Sequence, residues 1–177
     1  MRTEPDHHII VEFGDESSAS WQPINDGVMG GLSESRLRIT ADHTGVFAGS
    51  VSLENNGGFA SVRASLNETD LSSFHGLAIR TRGDGKRYRL RLRTDNRFDG
   101  IAYQAKFDTT RGEWETVEIP FDEFVPTYRG RTLNDVPPLN AGKICQIGFM
   151  VADKQEGCFR LEIKWVCAYR ASHAHGR

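Results

Sequence analysis

Apolar and polar side chains alternate along most of this chain, while apolar spacing at i, i+3 and i+4 is not sustained over any useful length. The two-residue period predicts strands over 9–13, 36–39, 46–53, 59–64, 77–82, 88–93, 101–107, 114–119, 144–151 and 159–166. Turn-forming runs separate them: NNGG at 55–58, RGDGK at 82–86, DNRFDG at 95–100, TTRGE at 109–113 and DKQEG at 153–157, several of hairpin type. Helix is expected only in brief pieces over 66–74 and 121–124. The stretch 125–142 contains Pro126, Pro137 and Pro138 without a clean period, and reads as a long irregular loop of the kind that carries interactions. About ten short strands with polar turns, and almost no helix for parallel crossovers, predict an all-β antiparallel sandwich or jelly roll.

Composition fits that picture. The 177 residues are expected to form one domain, with a core from about 9 to 169 and a flexible tail over 170–177, and 18 glycines against 6 prolines match a turn-rich chain. A net charge of −2 gives the whole molecule no drive toward nucleic acid or an anionic membrane. Cys145, Cys158 and Cys167 lack C-x-x-C spacing, so neither a disulfide framework nor a zinc site is expected. The opening MRTEPDHHIIVEF has the character of neither a signal nor a transit peptide, and no apolar run reaches membrane-spanning length. The expectation is a cytoplasmic protein without membrane insertion.

Local charge changes the picture more than net charge does. Residues 79–97 hold eight of the 22 basic residues and only two acids. In AIRTRGDGKRYRLRLR the period puts Leu77, Ile79, Tyr88, Leu90 and Leu92 on one side and Arg80, Arg82, Arg87, Arg89, Arg91 and Arg93 on the other. Gln104 and Lys106, opposed to Tyr103 and Phe107 on their own strand, extend this polar face, and Arg160, Glu162 and Lys164 continue it. One reading is a solvated face balanced by carboxylates of neighbouring strands. The other is a docking face for a protein partner or an anionic or polyhydroxyl ligand, held by forked guanidinium donors. Aromatic residues do not interleave with the arginines, which speaks against nucleic acid.

Other chemistry is sparse. The glycines of WQPINDGVMGGLSES precede a strand, not a helix, so they read as a structural corner pinned by Val28 and Met29 and not as a phosphate cradle. Trp21, Trp114 and Trp165 could stack on a sugar if exposed, although strand aromatics more often belong to the core, and Tyr103 or Trp21 would be the platform on the arginine face, while Asn55 and Asn56 could offer amide contacts at a loop rim or simply form the turn. The six histidines and 24 carboxylates fall in no recognisable metal, triad or glycosidase pattern, so no catalytic residue, metal or cofactor is nominated.

WQPINDGVMGGLSES, FAGSVSLENNGGFASVRA, LAIRTRGDGKRYRLRLR, YQAKF, GEWETVEIPFDEFVPTYRGR and QIGFMVADKQEGCFRLEI, in this order from Phe13 to Tyr169, resemble the complex I intermediate-associated protein 30 family. The resemblance implies a galactose-binding-like sandwich related to carbohydrate-binding modules. For mitochondrial members it implies a chaperone-like part in assembling NADH:ubiquinone oxidoreductase; the chain looks closer to stand-alone bacterial domains. It supplies no catalytic residue. The leading expectation is thus a non-catalytic binding or assembly domain that docks a protein, such as a respiratory-complex subunit or assembly intermediate, through Arg80, Arg82, Arg89, Arg91 and Arg93. A carbohydrate-binding module using the same face is the alternative, and an enzyme acting on an anionic metabolite the third.

Overall fold

A computed structural model describes residues 7–14, 21–25, 31–66, 70–97 and 99–171. The alternating segments form two antiparallel sheets. Sheet one contains β1 (His7–Glu12), β3 (Glu34–Ile39), β4 (Gly45–Val51), β6 (Gly76–Arg82), β9 (Trp114–Pro120) and β13 (Gly157–Tyr169), ordered β3-β4-β13-β6-β9 with β1 also on β13. Sheet two contains β2 (Gln22–Pro23), β5 (Ala60–Ser65), β7 (Arg87–Arg93), β8 (Ala102–Asp108), β10 (Val125–Tyr128), β11 (Arg131–Thr132) and β12 (Gln146–Val151), ordered β11-β10-β8-β7-β12-β5-β2. Aromatic rings join the layers: Phe47 of β4 lies 6.3 Å from Tyr88 of β7, and Phe159 of β13 lies 4.8 Å from Phe47 and 6.4 Å from Tyr88. Leu90, Leu92, Ile147 and Phe149 from sheet two and Ile79, Leu161 and Ile163 from sheet one complete this interior.

The long strand β13 changes parity midway. Phe159, Leu161 and Ile163 are buried, then the register shifts between Ile163 and Trp165, and Val166 and Ala168 become the core residues. The extra residue turns Trp165, Cys167 and Tyr169 outward, where Cys167 and Tyr169 join Ala78 in a small separate apolar cluster packed by Trp165.

The polar turns differ from expectation in what they connect. DNRFDG links paired strands β7 and β8, but NNGG, RGDGK, TTRGE and DKQEG each carry the chain from one sheet to the other. Asp84 anchors the crossover after β6: its carboxylate accepts from Tyr88 Oη at 2.9 Å, from Lys86 N at 3.1 Å and from Arg160 N at 2.8 Å. Gly85, at φ +93°, supplies the left-handed residue this crossover needs. Burial, reinforced by Asp84, pushes the Tyr88 phenol well above its usual range, so it donates and stays neutral.

Two local expectations are corrected. The stretch 125–142 is not irregular throughout, because β10 pairs with β8 and with β11, and the Pro126 carbonyl accepts from Leu133 N at 3.0 Å. Proline lowers strand propensity yet fits where its missing N–H is not needed. The expected helices reduce to a 3₁₀ turn at Phe121–Glu123, a further one occurs at Glu54–Asn56, and the described part of 66–74 contains turns only. Val28, Met29 and the end of the tail lie outside the described residues.

Candidate functional site

Strand β7 lies between β8 and β12 near the middle of sheet two, so its outward arginines are surrounded by ladder partners on both sides. Arg91 stands opposite Gln104 and Gly148, Arg89 opposite Lys106 and Met150, and Arg93 opposite Gln146. Residues directly opposite share a face. One row therefore crosses the outer face as Val125, Gln104, Arg91, Gly148, Arg63 and Gln22.

Internal carboxylates neutralise some of these cations. Arg87 pairs with Asp108 at 2.8 Å, and Asp153 accepts from Arg89 at 2.6 Å and from Lys106 at 3.4 Å. Burial raises the Asp153 carboxyl, but the hydrogen bond and charge of Arg89, with Lys106, carry it below the usual carboxylate range. Arg93 is buried and donates through Nη1 to the Gly100 carbonyl at 2.7 Å.

Arg91 differs. Burial, with repulsion from Arg93, Arg63 and Arg89 added, depresses it to about 9, and among the described residues no carboxylate offsets this. Arg63 is depressed to about 10 by burial and Arg93, against a favourable contribution from Asp99. Among the described residues the buried side-chain polar atoms without a partner are Arg89 Nε, Arg91 Nε and Gln146 Oε1, all on this one face. A small hollow lies at their feet, lined by Ser61, Arg63, Arg91, Arg93, Gln146 and Gly148. Its floor requires glycine, because a Cβ at residue 148 would sit 2.8 Å from the Val62 carbonyl oxygen. The arrangement can grip an oxyanion and, through Gln146 Oε1, accept one N–H or O–H.

The structure brings together Arg89, Arg91, Arg93, Gln104 and Lys106 but not Arg80 and Arg82. These two lie on β6, which belongs to sheet one, and they face solvent on the opposite side of the sandwich. Arg82 is held at 2.6 Å by Glu162, whose other oxygen accepts from Thr44 Oγ1 at 2.8 Å. Arg82 and Arg80 stack over Trp114 at 4.9 and 5.9 Å, and Arg80 also donates to Thr116 at 3.2 Å. Arg160, Glu162 and Lys164 on β13 belong to that sheet as well. An alternating pattern fixes a side chain's face relative to its own strand and is silent on which sheet the strand joins.

The aromatic platforms are corrected too. Tyr103 points into the core at 7% exposure and donates its hydroxyl to the Pro137 carbonyl at 2.9 Å. Trp21 packs between Phe13 and Phe149 at 6.0 and 5.9 Å. Asn55 occupies the left-handed region at φ 56° within the turn after β4, a conformation asparagine tolerates, and its side chain is exposed; that of Asn56 lies outside the described residues. Sequence reasoning missed Arg63 and Gly148. The alternation of Ser61, Arg63 and Ser65 was there to place Arg63 on a polar face, but nothing local joined that face to the β7 arginines. On the opposite sheet, His7, His75, Glu118, Tyr169 and Arg170 line a second hollow, and no cluster of metal-ligating side chains occurs among the described residues. No helix there is long and apolar enough to cross a membrane.

Solved structures share this architecture. A family 11 carbohydrate-binding module from Clostridium thermocellum, in complex with a β-1,3-1,4-mixed-linked tetrasaccharide, superposes with a TM-score of 0.70 at 16% identity over 93% of this chain and 96% of that one. A family 30 carbohydrate-binding module gives 0.61 at 12% identity over 94% and 91%. These likenesses establish a galactose-binding-like sandwich and nothing about the ligand. Among curated sequences, the complex I intermediate-associated protein 30, mitochondrial, of Mus musculus is 30% identical over 89% of this chain and 55% of its own length. The Drosophila melanogaster protein of the same name is 28% identical over 86% and 60%. This chain thus spans little more than half the length of these relatives. Their mitochondrial names overturn the expected cytoplasmic location, which was drawn from the cysteine pattern and the character of the first residues. The profile described as complex I intermediate-associated protein 30 matches residues 11–163, and with these relatives it establishes that the chain belongs to that family.

Proposed function

We propose that the chain is a non-catalytic docking domain that holds a protein partner, a complex I assembly intermediate, in mitochondria, using the outer face of sheet two. One observation carries this reading: Arg89 Nε, Arg91 Nε and Gln146 Oε1 are buried and unpartnered on the same face. A buried donor or acceptor left without a partner is costly, and a surface that retains three together is built to be completed from outside. Family membership supplies the class of partner through the relatives' names. The inward positions of Tyr103 and Trp21 weigh against a sugar stacked on this face.

The test is native electrophoresis of mitochondria in which the chain replaces the resident family member. Co-migration with complex I intermediates is expected, with loss in the double variant Arg89→Glu/Arg91→Glu and retention in Arg36→Glu, whose exposed side chain lies on sheet one. Unchanged co-migration of the folded double variant would count decisively against docking through this face. Saturable binding of a mixed-linked β-glucan tetrasaccharide, lost in the same variant, would replace the reading with carbohydrate recognition.

A further inference from the structure

Resting on the docking role of this face, the geometry points to an acidic polypeptide segment as its occupant, with one Asp or Glu carboxylate seated between Arg91 and Arg63 over Gly148. Each neighbouring rung shows what is missing. Arg87 has Asp108 at 2.8 Å and Arg89 has Asp153 at 2.6 Å, both carboxylates presented by this chain. The next rung, Arg91, has no carboxylate opposite it in the ladder: there stand neutral Gln104 and bare Gly148. Alternate residues on a strand are about 7 Å apart. An extended segment laid on the face would place its own side chains with the same repeat and bring a carboxylate to the vacant rung.

The chemistry of the unpartnered atoms narrows the occupant further. Arg89 Nε and Arg91 Nε require an acceptor, whereas Gln146 Oε1 requires a donor, because its amide nitrogen already donates to the Asp95 carbonyl at 3.4 Å. A carboxylate alone cannot donate. A peptide carries an amide N–H beside every acidic side chain and so supplies both. Gly148 leaves room for the ligand to approach the sheet, and a Cβ there would both collide with Val62 O and fill the hollow.

Fluorescence anisotropy with a labelled peptide alternating Glu and Thr, against its Gln-for-Glu counterpart, tests the inference on the whole chain. The Glu peptide should bind about tenfold or more tightly than the Gln peptide, with an affinity that falls as salt is raised. Arg91→Met should weaken it about tenfold while Arg36→Met leaves it unchanged. Gln146→Glu provides a second variant that does not remove a packed side chain: it supplies an internal carboxylate beside Arg93 and should abolish peptide binding while the protein stays folded. Equal binding of the two peptides, no binding of the Glu peptide, or wild-type affinity in both variants overturns the inference. So does displacement of the Glu peptide by inorganic phosphate, anionic vesicles or the mixed-linked tetrasaccharide at lower concentration than unlabelled peptide requires. Should the Glu peptide fail while Arg89→Glu/Arg91→Glu still releases the chain from complex I intermediates, the acidic occupant falls and the docking role stands. Peptide binding with unchanged co-migration of that variant leaves the affinity for acidic segments standing and removes the docking role.

Discussion

Replacing Arg91 by methionine should make this protein more stable, an unusual outcome for a substitution within a central strand. Methionine keeps most of the volume of the arginine stem and its apolar contacts, so the chief change is removal of the guanidinium. That group has a shielded Nε without a partner, and three neighbouring arginines oppose its charge. An unsatisfied buried donor costs about 1–3 kcal/mol, and allowing for imperfect repacking the net gain should be about 1–2 kcal/mol. For a domain of this size each kcal/mol moves the melting temperature by about 2–4 °C, which gives a rise of about 2–8 °C. Urea and thermal unfolding at low ionic strength measure it, and the gain should shrink as salt screens the repulsion from Arg63, Arg89 and Arg93. Arg82→Met provides the contrast. It removes the principal partner of Glu162, whose side chain is 7% exposed, and should cost about 1–3 kcal/mol, below the usual figure for a buried pair because the Arg82 side chain is 37% exposed. If Arg91→Met destabilises as much as Arg82→Met, Arg91 has a partner or a packing role that the geometry does not contain, and the recognition surface loses its basis.

Acid should act through Glu162, whose carboxyl burial raises but the hydrogen bonds of Arg82 and Thr44 bring below its ordinary value. A depressed folded-state pKa contributes stability above the unfolded value of about 4.3 that disappears as pH falls through the folded one, so melting temperature should drop less steeply below about pH 4.5 in Glu162→Gln than in wild type. Gly148→Val should lower stability by about 1–3 kcal/mol, read from the urea midpoint, because its Cβ meets the Val62 carbonyl at 2.8 Å. Tyr88→Phe should cost about 1–2 kcal/mol by removing one of the three donors to Asp84 while leaving the ring packing unchanged, and a neutral result in thermal unfolding would dismiss the phenol as a contributor to that anchor.

Most strands and the fold class were legible because the two-residue period is a local property. Val62, Tyr88, Leu90, Leu92, Ile147 and Phe149 are inward as their alternation requires. Where β13 departs from simple alternation, a bulge between Ile163 and Trp165 resets it, and no residue type in that segment announces the reset. The proposed docking face was legible only in part. Arg80 and Arg82 share the sequence rhythm of Arg89, Arg91 and Arg93, yet the crossover at 83–86 sends β6 and β7 to different layers, so equal parity puts the two groups on opposite sides of the molecule. Sheet membership is set by pairing between strands far apart in sequence, such as β13 with β4 and β6, a long-range property that short turn sequences do not encode. The same limit hid Arg63: it reaches Arg91 only because β5 and β7 both pair with β12, and residues 63 and 91 come to flank Gly148. A charge count along the chain therefore overstates the proposed docking face by including Arg82, which Glu162 neutralises, and understates it by omitting Arg63, which flanks Gly148 across from Arg91. Arg82 and Arg91 share one parity on their own strands, yet the fold sets Arg82 against Glu162 and places Arg91 opposite neutral Gln104 and Gly148, and only the tertiary arrangement contains that information.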